Sequence, residues 1–337
     1  MTPQTRPPLV GFAVVLLGAS LFGTLGPVSH FVYEAGMEPV PFVAWRALLG
    51  ALTVGAFVAW RVRRRTERFV RPSSLDRRER ATLAIAAACG AGLNIAMFVA
   101  FDRIAVALAL LCFYTYPAMV AALDIATGRE RLDRVKWVAL ALALGGMVAV
   151  VASQLDPSAG VELDGIGVAL AFIAAVCQTV FVIVSRSGYR RVPADQATTV
   201  IIGAAFFACI GLALLTGTMG AMTFPLTNPT VWPLLLYTGL FAAALPSLCF
   251  LIGIRIIGGM RAGIVMLWEP VVGVALAAVL LGEALQPIQL LGGAAILTAA
   301  VILQRTTPGR DDGASADASR PDPVEEDALA LHVPGGP

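Results

Sequence analysis

Glu269 is the residue in this chain whose position most demands a chemical partner. It lies in the middle of an apolar run, residues 260–281, with Arg261 as the only other charge. Such a run is long enough to cross a bilayer as a helix. An ionised carboxylate near the membrane midplane costs at least a few kcal/mol. Pro270 follows directly, and a proline lacks the N–H that would close the preceding turn, so it frees backbone carbonyls beside the acid. At 100° per residue, Ala262, Met266, Gly273 and Ala277 share the face of Glu269, while Ile264, Leu267, Val271 and Val274 take the opposite one. Small residues suit helix contacts and branched ones suit lipid, so Glu269 is expected to face the protein interior. There it can exchange a proton, bind a cationic group of a substrate, or serve as one partner of a structural ion pair.

Other polar groups sit in comparable runs. Arg46, near the outer end of the second apolar segment, can bind a substrate carboxylate bidentately, pair with Glu269, or reach for the interface. Asn94 and Gln178 each share a helical face with small residues. They can line a pocket or hydrogen-bond a neighbouring helix. Tyr114 offers an aromatic wall with a polar tip near Pro117. Asp124 is expected to pair with the arginines after it, His30 to be a solvated interfacial histidine, and Trp268 to pack against lipid or a neighbouring helix.

These residues need a scaffold, and composition says which kind. The chain has 337 residues, 58% of them apolar and 14% charged, with a mean hydropathy of +0.81. Soluble domains carry about 25% charged residues. Ten apolar segments can be marked, at 9–32, 41–60, 81–101, 105–126, 135–153, 163–185, 197–217, 231–252, 260–281 and 288–304. Each is near the ~20 residues a membrane span requires. The fold class is therefore all-α and integral to the membrane. Of the 24 Lys and Arg residues, 22 fall at the termini or in alternate loops. The positive-inside rule then puts both termini in the cytoplasm of a cell whose inner or plasma membrane holds the protein. Residues 1–8 form a short N-terminus, and the tail 305–337, rich in Asp, Glu, Pro and Gly, is expected to be disordered.

The chain also repeats itself. Slid by 153 positions, Pro117 meets Pro270, Glu130 meets Glu283, Leu132 meets Leu285, and Asn94 meets Ser247. A shift of 156 aligns Gly11, Ala13, Ala19 and Ser29 with Gly167, Ala169, Ala175 and Ser185. The halves are 9–153 and 163–304, each of five spans. An odd number makes them enter the membrane with opposite polarity, the inverted repeat of many secondary transporters. Such repeats place the substrate near the midplane beside broken helices. Pro117 and Pro270 are the expected kinks.

The motifs Ser20-Leu21-Phe22-Gly23, Trp45-Arg46-Ala47-Leu48-Leu49, Pro117 with Glu130-Arg131-Leu132, and Pro270 with Gly282-Glu283-Ala284-Leu285 resemble the EamA family of the drug/metabolite transporter superfamily. The resemblance covers nearly the whole chain to about Gln304. It implies a central cavity lined by the first four spans of each half, with the fifth and tenth peripheral. It also implies movement, often export, of small organic metabolites. Phe22, where a tryptophan is frequent, and Trp268-Glu269 before the proline depart from the family pattern.

Several chemistries are excluded by pattern. There is no H-E-x-x-H, no Walker A motif, no G-x-S-x-G and no T-V-G-Y-G filter. The five Cys lie in five different apolar runs, which argues against a disulfide framework or zinc site. The expectation is a non-enzymatic carrier for an amino-acid-like or drug-like solute, without cofactor or metal. Its partners are the substrate, protons as candidate coupling ion, and the lipid bilayer, with no nucleic acid. The alternatives are a passive channel and a non-transporting scaffold.

Overall fold

A computed structural model describes residues 8–66, 68–101, 103–128, 133–153, 164–281 and 285–305. The Glu130-Arg131-Leu132 and Gly282-Glu283-Ala284 motifs and the tail from 306 onward lie outside the described residues. Among the described residues, ten helices are long and apolar enough to cross a membrane. They are Leu9–Glu34, Pro39–Arg63, Arg77–Phe101, Val106–Ala126, Arg134–Ala152, Gly165–Ser187, Ala194–Thr216, Pro229–Ile257, Gly259–Leu280 and Pro287–Arg305. Each overlaps one expected segment, and the described residues contain no strand. Asp133 and Asp164 start the fifth and sixth spans as N-caps, accepting from the backbone N–H groups of Lys136 and Ile166.

The two halves interlock. The first span packs on the eighth, the third on the sixth and seventh, the second on the seventh, and the fifth on the tenth. Exchanging the halves turns the first–eighth contact into the sixth–third contact, as a two-fold relation requires. Glycine makes the closest approaches possible: a Cβ at Gly146 would lie 2.5 Å from the Gly292 carbonyl oxygen, and one at Gly292 would lie 2.5 Å from that of Gly146. Ion pairs across the halves cluster on the face that carries the termini, where Arg61 meets Asp195 at 3.0 Å and Arg191 meets Glu79 at 3.4 Å. On that face Asp124 pairs with Arg186 of the sixth span, a partner in the other half, at 3.8 Å; Arg129 and Arg131, which follow it in sequence, lie outside the described residues. The opposite face has Arg103–Asp164 at 2.9 Å. His30 is half-exposed and pairs with Glu34 at 3.2 Å.

The first span is interrupted at Thr24, and the fourth and ninth are broken at places equivalent to each other. The fourth runs as helix Val106–Phe113 and then Tyr116–Ala126; the ninth as Gly259–Met266 and then Glu269–Leu281. Both breaks fall three residues before a proline, in the 153-residue register. In an unbroken helix the amides of residues 117 and 270 would donate to the carbonyls of Phe113 and Met266. Proline has no such hydrogen, so each helix ends at that carbonyl.

The break overturns one expectation. Ile264 and Leu267 are fully buried and Val274 nearly so, rather than facing lipid. The first segment of the ninth span is enclosed on all sides, from Gly259 to Met266. A straight-helix wheel assigns it a lipid face because it ignores the change of direction at Leu267-Trp268.

Candidate functional site

Between the halves lies a cavity of about 230 Å³. Spans one to four and six to nine contribute to its wall; the fifth and tenth do not. Most of the wall is apolar, from Phe22, Phe98, Phe113, Phe181 and Phe250 among others. Arg46, Asn94, Gln178 and Glu269 all reach it.

Arg46 is held by three elements. It is 7% exposed, and its guanidinium lies over the rings of Phe42 at 5.9 Å and Phe98 at 6.0 Å. Nη2 donates to Asn94 Oδ1 at 3.1 Å, and Asn94 Nδ2 in turn donates to the Gly90 carbonyl at 2.8 Å. Nη1 donates to the Ala242 carbonyl at 3.3 Å. That carbonyl is in a π-helical turn, Leu240–Ala244, of the eighth span. Pro246, four residues on, has no hydrogen to give it, and Arg46 fills the vacancy from another helix. A wide turn of this kind is a frequent device at functional sites. Arg46 Nε is buried without a protein partner. A buried donor left so costs roughly 1–3 kcal/mol.

Glu269 is half-buried and lines the same cavity. The Tyr114 hydroxyl is within hydrogen-bonding reach of its carboxylate, and Arg46 is close enough to feel its charge. Arg46 gives its Nη hydrogens to Asn94 and Ala242 rather than to Glu269. The two charges thus share one cavity without forming a closed ion pair. The first span fixes the acid's backbone. A Cβ at Gly23 would lie 2.6 Å from the Glu269 carbonyl oxygen, so only glycine fits there without displacement. Trp268 Nε1 donates to Ser20 Oγ at 3.1 Å, so this tryptophan is tied to a neighbouring helix. The Ser20-Leu21-Phe22-Gly23 motif therefore has a physical role: it clamps the break of the ninth span.

The structure brings Arg46, Asn94, Gln178 and Glu269 together around the cavity. Tyr114, beside Glu269, is fully buried and is not among the residues that line the cavity. Pro117 and Pro270 sit at the breaks and do not line the cavity. Three lining groups escaped the sequence reading. Tyr116 is one: its hydroxyl is within hydrogen-bonding reach of Gln178 and donates to the Gly263 carbonyl at 3.5 Å. The 153-residue register already pairs it with Glu269. Ser247 is the repeat partner of Asn94. Thr198, whose buried Oγ1 has no protein partner, gave no signal in sequence.

The sequence profile of the EamA-like transporter family matches residues 9–152 and again residues 165–305. The chain belongs to this family. Among characterised relatives, the threonine/homoserine exporter RhtA of Escherichia coli strain K12 is 29% identical over 87% of this chain and 88% of its own. An uncharacterized transporter of Archaeoglobus fulgidus is 25% identical over 88% of this chain and 96% of its own. One solved crystal structure shares the fold at a TM-score of 0.60, with 20% identity over 88% of this chain and 95% of the other. This EamA-like chain is thus a multi-pass membrane protein of a transporter family.

Proposed function

We propose that the chain exports a small organic metabolite bearing both a carboxylate and a cationic amine, by alternating access of the two halves. The observation that carries the reading is one small cavity lined by both Arg46 and Glu269, with neither satisfied by the other. The Arg46 guanidinium receives the carboxylate; Glu269 receives the amine, or a proton when the amine leaves. A volume of about 230 Å³ is below the ~300–1,000 Å³ of pockets for drug-sized ligands. That favours the amino-acid-like over the drug-like substrate. The named activity of RhtA, export of threonine and homoserine, supports the same class and direction. Two interlocked, oppositely oriented halves supply two conformations of similar energy, and the excess of basic residues in alternate loops supports cytoplasmic termini in an inner or plasma membrane.

The test is counterflow of labelled threonine or homoserine in proteoliposomes under an imposed pH gradient. Saturable counterflow is expected, which a passive channel would not give. Glu269→Gln is expected to remove the dependence on the gradient. If that variant keeps both the native rate and the native pH dependence, Glu269 has no part in coupling.

A further inference from the structure

A second opening, of about 450 Å³, lies away from the central cavity, between the second and seventh spans at the face that carries the termini. Val58 and Ala59 form one wall, Val192 and Val200 the other, with Phe69 of the connecting segment beside them. The polar atoms nearby are already engaged. Gln196 Oε1 accepts from the Val70 N–H at 3.0 Å, its Nε2 donates to the Arg68 carbonyl at 3.1 Å, and Thr199 Oγ1 donates to the Asp195 carbonyl at 2.9 Å. Arg63 is the exception: it lines the mouth and, among the described residues, has no ion-pair partner. Arg61, by contrast, is committed to Asp195.

We infer that this groove holds an acyl chain of an anionic phospholipid, with the phosphate at Arg63. Three observations point there. On the second span the lining runs from Gly55 to Arg63. Eight residues of helix are about 12 Å, close to the ~15 Å hydrocarbon depth of one leaflet. The walls offer no free hydrogen-bonding partner, so a peptide segment entering the groove would leave its own N–H and C=O groups unsatisfied, whereas an acyl chain has none to satisfy. Finally, Arg64, Arg65, Arg68 and Arg71 follow on the same segment and are exposed. Each basic residue near an anionic membrane surface contributes about a fivefold preference.

The experiment is native mass spectrometry of the full-length protein. It is purified in detergent and mixed with equal amounts of phosphatidylglycerol and phosphatidylcholine of matched chains. One phosphatidylglycerol is expected to stay bound, preferred about fivefold or more over phosphatidylcholine. Ala59→Trp, which fills the groove from an exposed position, is expected to abolish the retained lipid. Val200→Trp, on the facing wall, serves if that variant does not fold. Arg63→Gln is expected to keep a lipid but lose most of the preference. Equal retention of both lipids by the native protein would overturn the proposal, and so would either variant behaving as native does. A chain ending at Arg305 should bind as the full chain does. If retention appears only after that truncation, the acidic tail is the occupant and the proposal fails.

Discussion

The fourth and ninth spans make the same break in the same register with different chemistry. Tyr114-Thr115-Tyr116-Pro117 stands in one and Leu267-Trp268-Glu269-Pro270 in the other. In both, a proline withholds its hydrogen from the carbonyl four residues earlier, and the second helix restarts on the residue before it. That residue is Tyr116 in one and Glu269 in the other, and both line the cavity. The shape is duplicated because a backbone rule imposes it. The charge is not. A second carboxylate at 116 would put two acids on one cavity of about 230 Å³, where each makes ionisation of the other costlier. The first half contributes its charge from another helix instead, through Arg46.

The largest effect should come from separating the two restart residues. Glu269→Ala is expected to slow counterflow by roughly 10- to 100-fold, the value of a charged hydrogen bond. Tyr116→Phe should cost no more than about threefold. Equal losses, measured in the same vesicles, would show that charge asymmetry is irrelevant to transport. Next in size is the clamp on each break. Gly23→Val places a side chain against the Glu269 carbonyl and should lower stability by about 1–3 kcal/mol. Its counterpart at a shift of 156, Thr179, already carries one, and Thr179→Ala should cost about 1 kcal/mol or less; thermal unfolding in detergent compares them. Restoring the missing hydrogen comes third. Pro117→Ala and Pro270→Ala should each stabilise by about 0.5–1.5 kcal/mol and each slow transport. A gain in only one would mean the breaks are not equivalent.

The smallest effect concerns Asp164. The Arg103 hydrogen bond, then the Ile166 N–H, holds its carboxyl below the usual aspartate range. The repeat counterpart of Arg103 at a shift of 153 is the uncharged Ile256. Because the folded pKa is depressed, the contribution is complete above the unfolded value of about 4 and fades as pH falls through the lowered one. Thermal unfolding followed from neutral to acid pH should show this fading, and Arg103→Gln should remove most of it.

The ten spans were legible because a bilayer sets a length and a polarity that composition cannot hide. The repeat was legible because Pro117 and Pro270 recur where chance alanine matches do not. The lipid face assigned to Ile264 and Leu267 failed for a local reason: a wheel carried through Leu267-Trp268 treats a broken helix as straight. Asn94 and Gln178 could be placed at the cavity because the repeat puts their spans around it, but the Ala242 carbonyl that seats Arg46 needed the π-helical turn to be seen. Thr198 was invisible, because a threonine that bonds its own helix and one that lines a cavity look alike in sequence.

Most helices here find their main neighbour in the other half, as the fifth and tenth do through Gly146 and Gly292. At a synthesis rate of ~5–20 residues per second, the first five spans wait roughly ten to thirty seconds in the bilayer before those neighbours exist. Over that interval lipid must cover surfaces, glycine-lined and polar, that were shaped for protein. Assembly of this chain is therefore a displacement of lipid by late-arriving helices, and its nascent first half is the stage most exposed to membrane quality control.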